Sequence, residues 1–217
     1  MRKLISVFMI IVMAYSFCAC KGKFGSSQDG AKKALKSECS AKKATKDQYK
    51  YMIDSKYDNT EIAEDFATGA FSEISSKDFT FFGFHAVVDH SKIKSCFKYL
   101  KIDPKSLDGD SITTMEVLIV EFDDKASAES YYNTLLDRKQ KAYENNTYLD
   151  AEMTNEFKNE DNYFVYGNKT EFMVFHAYAK LEKNVVVYAF LEGPLNDTME
   201  KEYKGFMDKM KYEYISM

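Results

Sequence analysis

Three histidines are the side chains in this sequence best suited to acid–base or metal chemistry near neutral pH. His85 and His90 lie five residues apart in a stretch that favours a strand, and that spacing points them to opposite faces. His176 lies in a second predicted strand, on the same face as Val174 and Tyr178. We therefore interpret His85 and His90 as single structural or surface histidines, and His176 as a hydrogen-bonded core residue.

Carboxylates are abundant, but their spacing selects no catalytic or metal-binding set. An acidic loop and the start of the next strand contain Asp103, Asp108, Asp110 and Glu116. Calcium binds such oxygens, yet the spacing differs from that of an EF-hand loop. A glycosidase pair must meet across a cleft, and the sequence does not single one out. With no P-loop, zinc-protease, nucleophile-elbow or dinucleotide motif, we predict no catalytic residue, no metal and no cofactor.

Aromatic residues offer a binding surface rather than a reaction centre. Tyr143, Tyr148 and Tyr163 flank or lie in the polar segment 144–160, predicted to be a loop, and tyrosine suits contact surfaces. We predict a contact surface built from these three residues. The aromatic run from Phe79 to Phe84 favours a buried strand, with an exposed binding patch as the alternative.

Hydrophobic periodicity predicts the elements that would position these residues. The clearest unit is a strand over 112–122 followed by a helix over 125–143. Three strands joined by short turns then predict an antiparallel meander over 163–191, and a last helix covers 198–210. Further predictions are helices over 41–53 and 91–100, a strand over 79–88 and a short strand over 212–215.

Strands and helices that do not alternate strictly indicate an α+β fold. We predict a single domain over 41–217, with an antiparallel sheet and helices packed mainly on one face. The 217 residues, of which 45% are hydrophobic, suffice for one core. Seven residues are predicted to be buried together, namely Val117, Leu118, Val120, Leu135, Val174, Val187 and Phe206.

The N-terminus has the pattern of a secretory signal. Arg2 and Lys3 precede a run of about 14 mostly apolar residues from Leu4 to Phe17. A membrane-spanning helix needs about 20 residues, so this run favours a cleaved signal, with an uncleaved anchor as the alternative.

The end of that run, Phe17-Cys18-Ala19-Cys20, resembles the lipobox of bacterial lipoproteins, in which a small residue precedes the cysteine that receives lipid. The general character of the chain is similar to that of the small α+β lipoproteins of low-GC Gram-positive bacteria, whose function is unassigned. The resemblance implies a signal peptide over 1–19, a lipid on Cys20 and an extracytoplasmic domain anchored to the cell membrane. A plain secreted protein is the alternative.

Charge is distributed unevenly along the chain. Residues 21–47 contain eight lysines and three acidic residues, whereas the whole chain has a net charge of −4. We predict a basic, flexible tether over 20–40, because Lys21 to Gly30 is rich in glycine and serine. Its lysines would lie near anionic lipid head groups or only keep the tether soluble. The acidic remainder argues against nucleic-acid binding.

Two cysteines remain once Cys18 leaves with the signal and Cys20 takes lipid. Cys39 and Cys96 are allowed to form a disulfide outside the cytoplasm, and would stay thiols in a reducing habitat. We name the pair as a possible disulfide.

These observations favour a membrane-tethered binding or interaction module. Its ligand would be a protein partner, a cell-wall fragment or a small molecule. The alternative is an extracytoplasmic hydrolase that uses acidic residues or His85 and His90.

Overall fold

The computed structural model describes residues 23–53, 64–78, 90–103, 112–146 and 154–216. The predicted strand over 79–88, the lipobox, His85 and Tyr148 lie outside these ranges. Within them the chain forms an eight-stranded sheet and four α-helices. The helices are α1 (Lys23–Glu38), α2 (Lys46–Ile53), α3 (Lys125–Asn146) and α4 (Asp197–Met210). The strands are β1 (Lys42–Lys43), β2 (Ala70–Ile74), β3 (Ile93–Ile102), β4 (Thr114–Phe122), β5 (Thr154–Asn159), β6 (Tyr163–Lys169), β7 (Met173–Glu182) and β8 (Val185–Pro194).

The sheet has the strand order β1-β2-β3-β4-β8-β7-β6-β5. All neighbours pair antiparallel except β1 and β2, which are parallel. The predicted single α+β domain, its unit of β4 and α3, its meander of β6 to β8 and its last helix are therefore confirmed.

The helices cover both faces of this sheet. On β4, Leu118 and Val120 belong to the core beneath α2 and α3, which we call the first face. Val117 and Ile119 belong to the core beneath α1 and α4, which we call the second face. The prediction of helices mainly on one face is wrong, because the central strands are apolar on both sides and each side needs a cover.

The seven residues predicted to share one core are all buried but lie in two cores. The first face contains Leu118, Val120 and Leu135. The second face contains Val117, Val174, Val187 and Phe206. Adjacent positions on a strand point to opposite sides, so the sheet itself divides the set.

The segment predicted as a helix over 91–100 is strand β3 apart from a short 3-10 turn at its start. Ile93, Cys96 and Leu100 have helical spacing, but all three point to the first face of a strand. An irregularity in the pairing with β4 between Ile93 and Ser95 allows this spacing. Because β3 is buried on both sides, its residues show no alternation of apolar and polar types.

The predicted flexible tether over 20–40 is wrong from residue 23 onward. Residues 23–38 form α1, in which Ala31, Ala34 and Leu35 are fully buried. These residues recur at helical spacing on the side that packs on the second face and against α4. Helix α1 is therefore part of the folded domain.

Several boundaries also differ from prediction. Helix α2 begins at Lys46 rather than near residue 41, because Thr45 and Gln48 cap it reciprocally. The predicted loop 144–160 contains strand β5, which pairs with β6 at an edge of the sheet. Asn196, not Asp197, caps α4 by accepting a hydrogen bond from the Met199 backbone at 3.0 Å. The segment 212–215 packs on the second face without forming a strand.

Candidate functional site

A cleft of about 410 Å³ opens where the C-terminal half of α3 passes over the ends of β6, β7 and β8. Its volume lies within the range of small-molecule sites. The lining consists of Ile112, Lys139, Ala142, Tyr166, Asn168, Met173, Val174, Phe175, Glu192 and Gly193. The residues come from five separate segments of the chain, so the cleft exists only in the folded domain.

Strand register builds the floor of the cleft. Asn168 pairs with Phe175 across β6 and β7, and Phe175 pairs with Glu192 across β7 and β8. Directly paired residues of an antiparallel sheet point to the same face. An amide, an aromatic ring and a carboxylate therefore stand in one row.

Helix α3 places a cation over this row. The Lys139 Nζ lies 4.2 Å from the centroid of the Phe175 ring, which is cation–π geometry. Lys139 follows Leu135 by one helical turn, so the apolar stripe that anchors α3 on the sheet also directs this lysine toward the sheet.

The two charged groups of the cleft influence each other. Burial lowers the pKa of Lys139 to about 8, with Glu192 opposing that shift and Arg138 adding to it. The pKa of Glu192 is raised, because surrounding protein atoms desolvate the carboxyl even though the side chain keeps contact with solvent. Lys139 partly offsets this effect. Lys139 is half-buried and thus poorly hydrated, which strengthens its interaction with a bound ligand, whereas Glu192 is exposed.

Asn168 is oriented by a chain of hydrogen bonds. Its Nδ2 donates to Asn155 Oδ1 at 3.4 Å. The Asn155 Nδ2 donates in turn to the Tyr143 backbone carbonyl of α3 at 3.1 Å. The floor of the cleft and its helical wall are therefore tied together at the β5 edge.

Exposed apolar residues lie next to the cleft in the chain. Phe172, Met173 and Leu195 are 71%, 39% and 39% exposed, the large exposed hydrophobic residues of the described chain. The Leu195 N–H donates to the Phe172 carbonyl at 3.0 Å, so the two side chains sit on neighbouring turns. Met173 also lines the cleft.

Gly193 is required where β8 leaves the cleft. Its φ is +131°, a conformation that side-chain-bearing residues rarely adopt. A Cβ atom there would collide with the backbone of Ile112 and Thr113. Gly193 therefore lets β8 approach the segment that precedes β4.

The predicted tyrosine contact surface is divided by the sheet. Tyr143 packs on the first face and stacks on Phe157, with ring centroids 5.7 Å apart. Tyr163 packs on the second face and stacks on Tyr178 at 6.0 Å. Tyr143 and Tyr163 do not share a surface, so that prediction is wrong for this pair.

The possible disulfide is also excluded by the sheet. Cys39 is buried on the second face and Cys96 on the first, and both are free thiols. The pKa of Cys39 is raised to about 12, mainly by burial. Burial likewise raises the pKa of Cys96 well above its ordinary value. Neither thiol has the character of a nucleophile.

His176 is a core residue, as predicted, and stacks on Tyr203 with ring centroids 5.5 Å apart, while the Tyr214 ring lies tilted against it at 5.2 Å. Its Nε2 has no hydrogen-bond partner among the described residues, so this atom does not make the hydrogen bond that was predicted for the side chain. Burial lowers the pKa of His176 to about 4. His90 begins the 3-10 turn before β3, far in sequence from His176.

The sequence did not single out Lys139, Asn168 or Glu192. One signal was present: Lys139 interrupts the apolar stripe of α3 between Leu135 and Ala142. Within the described ranges no group of three His, Cys, Asp or Glu side chains is placed to hold a metal ion. The cleft therefore offers recognition by charge, amide and aromatic groups.

No protein-family model matches the chain, and no curated protein matches its sequence. The extracellular domain of PknH from Mycobacterium tuberculosis is similar in structure at a TM-score of 0.38 and 11% identity, covering 78% of this chain and 98% of that domain. A likeness at this level carries no argument about activity. No helix in the described part of the chain is long and apolar enough to cross a membrane.

Proposed function

We propose that the chain is an extracytoplasmic lipoprotein, tethered to the membrane through Cys20, whose domain binds a small ligand in the cleft beneath α3. The observation that carries the binding role is the row of Asn168, Phe175 and Glu192 with Lys139 above it. The N-terminal basic and apolar pattern that ends at Cys20 supports the extracytoplasmic, lipid-anchored location.

The cleft favours a ligand that combines an apolar group with both an anion and an amine. Lys139 supplies the cation and Glu192 the carboxylate, while the Asn168 amide both donates and accepts hydrogen bonds. Phe175 and Met173 supply apolar contact area. A short peptide with free ends and an apolar side chain has this chemistry.

Binding is tested by calorimetric titration with apolar dipeptides. Because hydrogen bonds to charged groups contribute about 1.5–3 kcal/mol, Lys139→Gln and Glu192→Gln should each weaken binding about tenfold or more. The matched control is Lys141→Gln, which changes an exposed lysine of the same helix that pairs with Asp137. Capping both ends of the dipeptide should also weaken binding. Equal affinity of all four proteins, or no binding of any dipeptide, would contradict the proposed ligand class.

Lipidation at Cys20 is tested separately by metabolic labelling with a fatty-acid analogue. Wild type and Cys18→Ala should carry the label, and Cys20→Ala should not. Labelling that survives in Cys20→Ala would contradict lipidation at this residue without bearing on the cleft.

The hydrolase alternative gains no specific support from the described residues. The cleft contains one carboxylate, Glu192, and no histidine. His176 is buried and stacks on Tyr203 of the second face, whereas Phe175 packs on the first face. The arrangement favours binding over hydrolysis.

A further inference from the structure

A basic surface lies along the β1 edge of the sheet. It consists of six exposed lysines from α1, β1 and α2, which we call the basic edge: Lys33, Lys36, Lys42, Lys43, Lys46 and Lys50. Residues 28–53 contain seven lysines and three acidic residues, whereas the other described residues from 64 onward contain 17 basic and 23 acidic ones. Positive charge is therefore concentrated on one side of an otherwise acidic domain.

Contacts with β2 bring the lysines of α1 and β1 together. Lys42 and Lys43 pair with Ala70 and Phe71 of β2. From the helix above, the Lys36 Nζ lies 5.5 Å from the centroid of the Phe71 ring. Lys36 of α1 and Lys43 of β1 thus both lie beside Phe71 of β2.

Helix α2 extends the basic edge onto the first face. Lys46 begins α2 and Lys50 follows it by one turn. Tyr51 and Met52 face the core, whereas both lysines are exposed. The exposed side of α2 therefore continues the charge of β1.

This charge is presented to solvent. None of the six lysines of the basic edge forms an ion pair with a residue in the described ranges. The neighbouring Lys32 of α1 differs, because its Nζ lies 2.7 Å from Glu73 Oε1. Within α1 one lysine is thus neutralised internally while Lys33 and Lys36 are not.

We infer that the basic edge docks on the anionic head groups of the membrane that carries the protein. This inference rests on the proposed tether at Cys20. Helix α1 begins at Lys23, only three residues later, and three residues span at most about 11 Å. Such a short link keeps α1 at the lipid surface, where each lysine strengthens association about fivefold.

The test uses the full chain reconstituted in two kinds of vesicle. One is phosphatidylcholine alone, and in the other about a third of the lipid is phosphatidylglycerol. A membrane-impermeant acetylating reagent modifies accessible lysines, and mass spectrometry gives the rate at each one. Lysines of the basic edge should react at least about fivefold more slowly in the anionic vesicles, and high salt should abolish this protection. The internal controls are Lys94, Lys125 and Lys141, which are 60%, 68% and 66% exposed elsewhere on the domain.

Charge reversal provides the matched pair of variants. Lys42→Glu, Lys43→Glu and Lys46→Glu together should remove the protection of the remaining basic-edge lysines. Lys94→Glu, Lys125→Glu and Lys141→Glu change net charge equally and should leave it intact. Circular dichroism and melting temperature establish that both variants are folded.

Three results would overturn the inference. The first is equal acetylation of the basic edge in both kinds of vesicle. The second is that the control lysines are protected as strongly as the basic edge. The third is that a soluble polyanion such as polyglutamate protects the basic edge although anionic vesicles do not. The last result would assign the basic edge to a soluble acidic partner. Acetylation is measured only on protein that sediments with the vesicles, so loss of protection is distinguishable from failure of lipidation at Cys20, which would leave the protein in the supernatant.

Discussion

The ammonium group of Lys139 and the ring of Phe175 meet at 4.2 Å in the cleft, although 36 positions of the sequence separate them. The helix contributes the cation and the central strand of the meander contributes the ring. Glu192 stands beside Phe175 on the next strand. This relationship couples the stability of the domain to the chemistry that its cleft presents.

Replacing Lys139 should change how stability depends on pH. Its pKa is lowered by burial to about 8, below the ordinary lysine value of about 10.4. Between these values the unfolded chain binds more protons, so wild-type stability rises with pH across that window. Lys139→Met should therefore be more stable than wild type below pH 8, by about 1 kcal/mol after solvent screening, and lose this advantage toward pH 10. Urea unfolding at several pH values measures it, with Lys141→Met as the matched control. A constant difference at all pH values would contradict the lowered pKa.

A buried ion pair between β3 and β4 should show strong coupling. The Lys98 Nζ lies 3.5 Å from Glu116 Oε2, with side chains 2% and 3% exposed. Glu116→Leu alone would leave a buried cation and should cost about 3–5 kcal/mol. The double variant Lys98→Met with Glu116→Leu should recover most of this loss. A double-mutant cycle by chemical denaturation measures the coupling, and additive losses would show that the pair does not interact.

Helix α1 should contribute to stability like any core element. Leu35 is fully buried against the second face, so Leu35→Ala should cost about 2–5 kcal/mol. Lys33→Ala changes an exposed residue of the same helix and should cost less than about 0.5 kcal/mol. Thermal unfolding of the two variants compares them. Equal melting temperatures for Leu35→Ala and wild type would contradict the packing of α1 and favour the flexible tether that the sequence predicted.

The two cysteines should remain thiols even under oxidising conditions. Cys39 and Cys96 lie on opposite sides of the sheet and are 1% exposed each. A thiol reagent should modify Cys39 and Cys96 only when denaturant unfolds the domain, since burial also keeps them protonated. Intact-mass measurement after air oxidation should show no loss of two hydrogens from this pair. Rapid modification of either residue in the native protein would contradict its burial.

Local sequence patterns predicted those elements whose pattern has a single interpretation. The helix α3 has an apolar stripe flanked by an aspartate cap, and Asp124 accepts the hydrogen bond from the Ser127 backbone at 2.7 Å. The strands β7 and β8 are rich in branched and aromatic residues. The prediction failed at β3, because burial on both faces removed the alternation of apolar and polar residues that marks a strand. The prediction failed again at α1, because the glycines and serines near its start outweighed its short apolar stripe.

The sequence by itself determined the α+β class, the meander, the last two long helices and the N-terminal pattern that ends at Cys20, because each depends on residues close together in the chain. Tertiary structure decided which side of the sheet each residue faces. It separated Cys39 from Cys96 and Tyr143 from Tyr163, and it brought Lys139 over Phe175 beside Glu192. Those outcomes depend on strand order and register, which are set by the packing of distant segments on both faces of one sheet. The cleft and the basic edge are products of that packing.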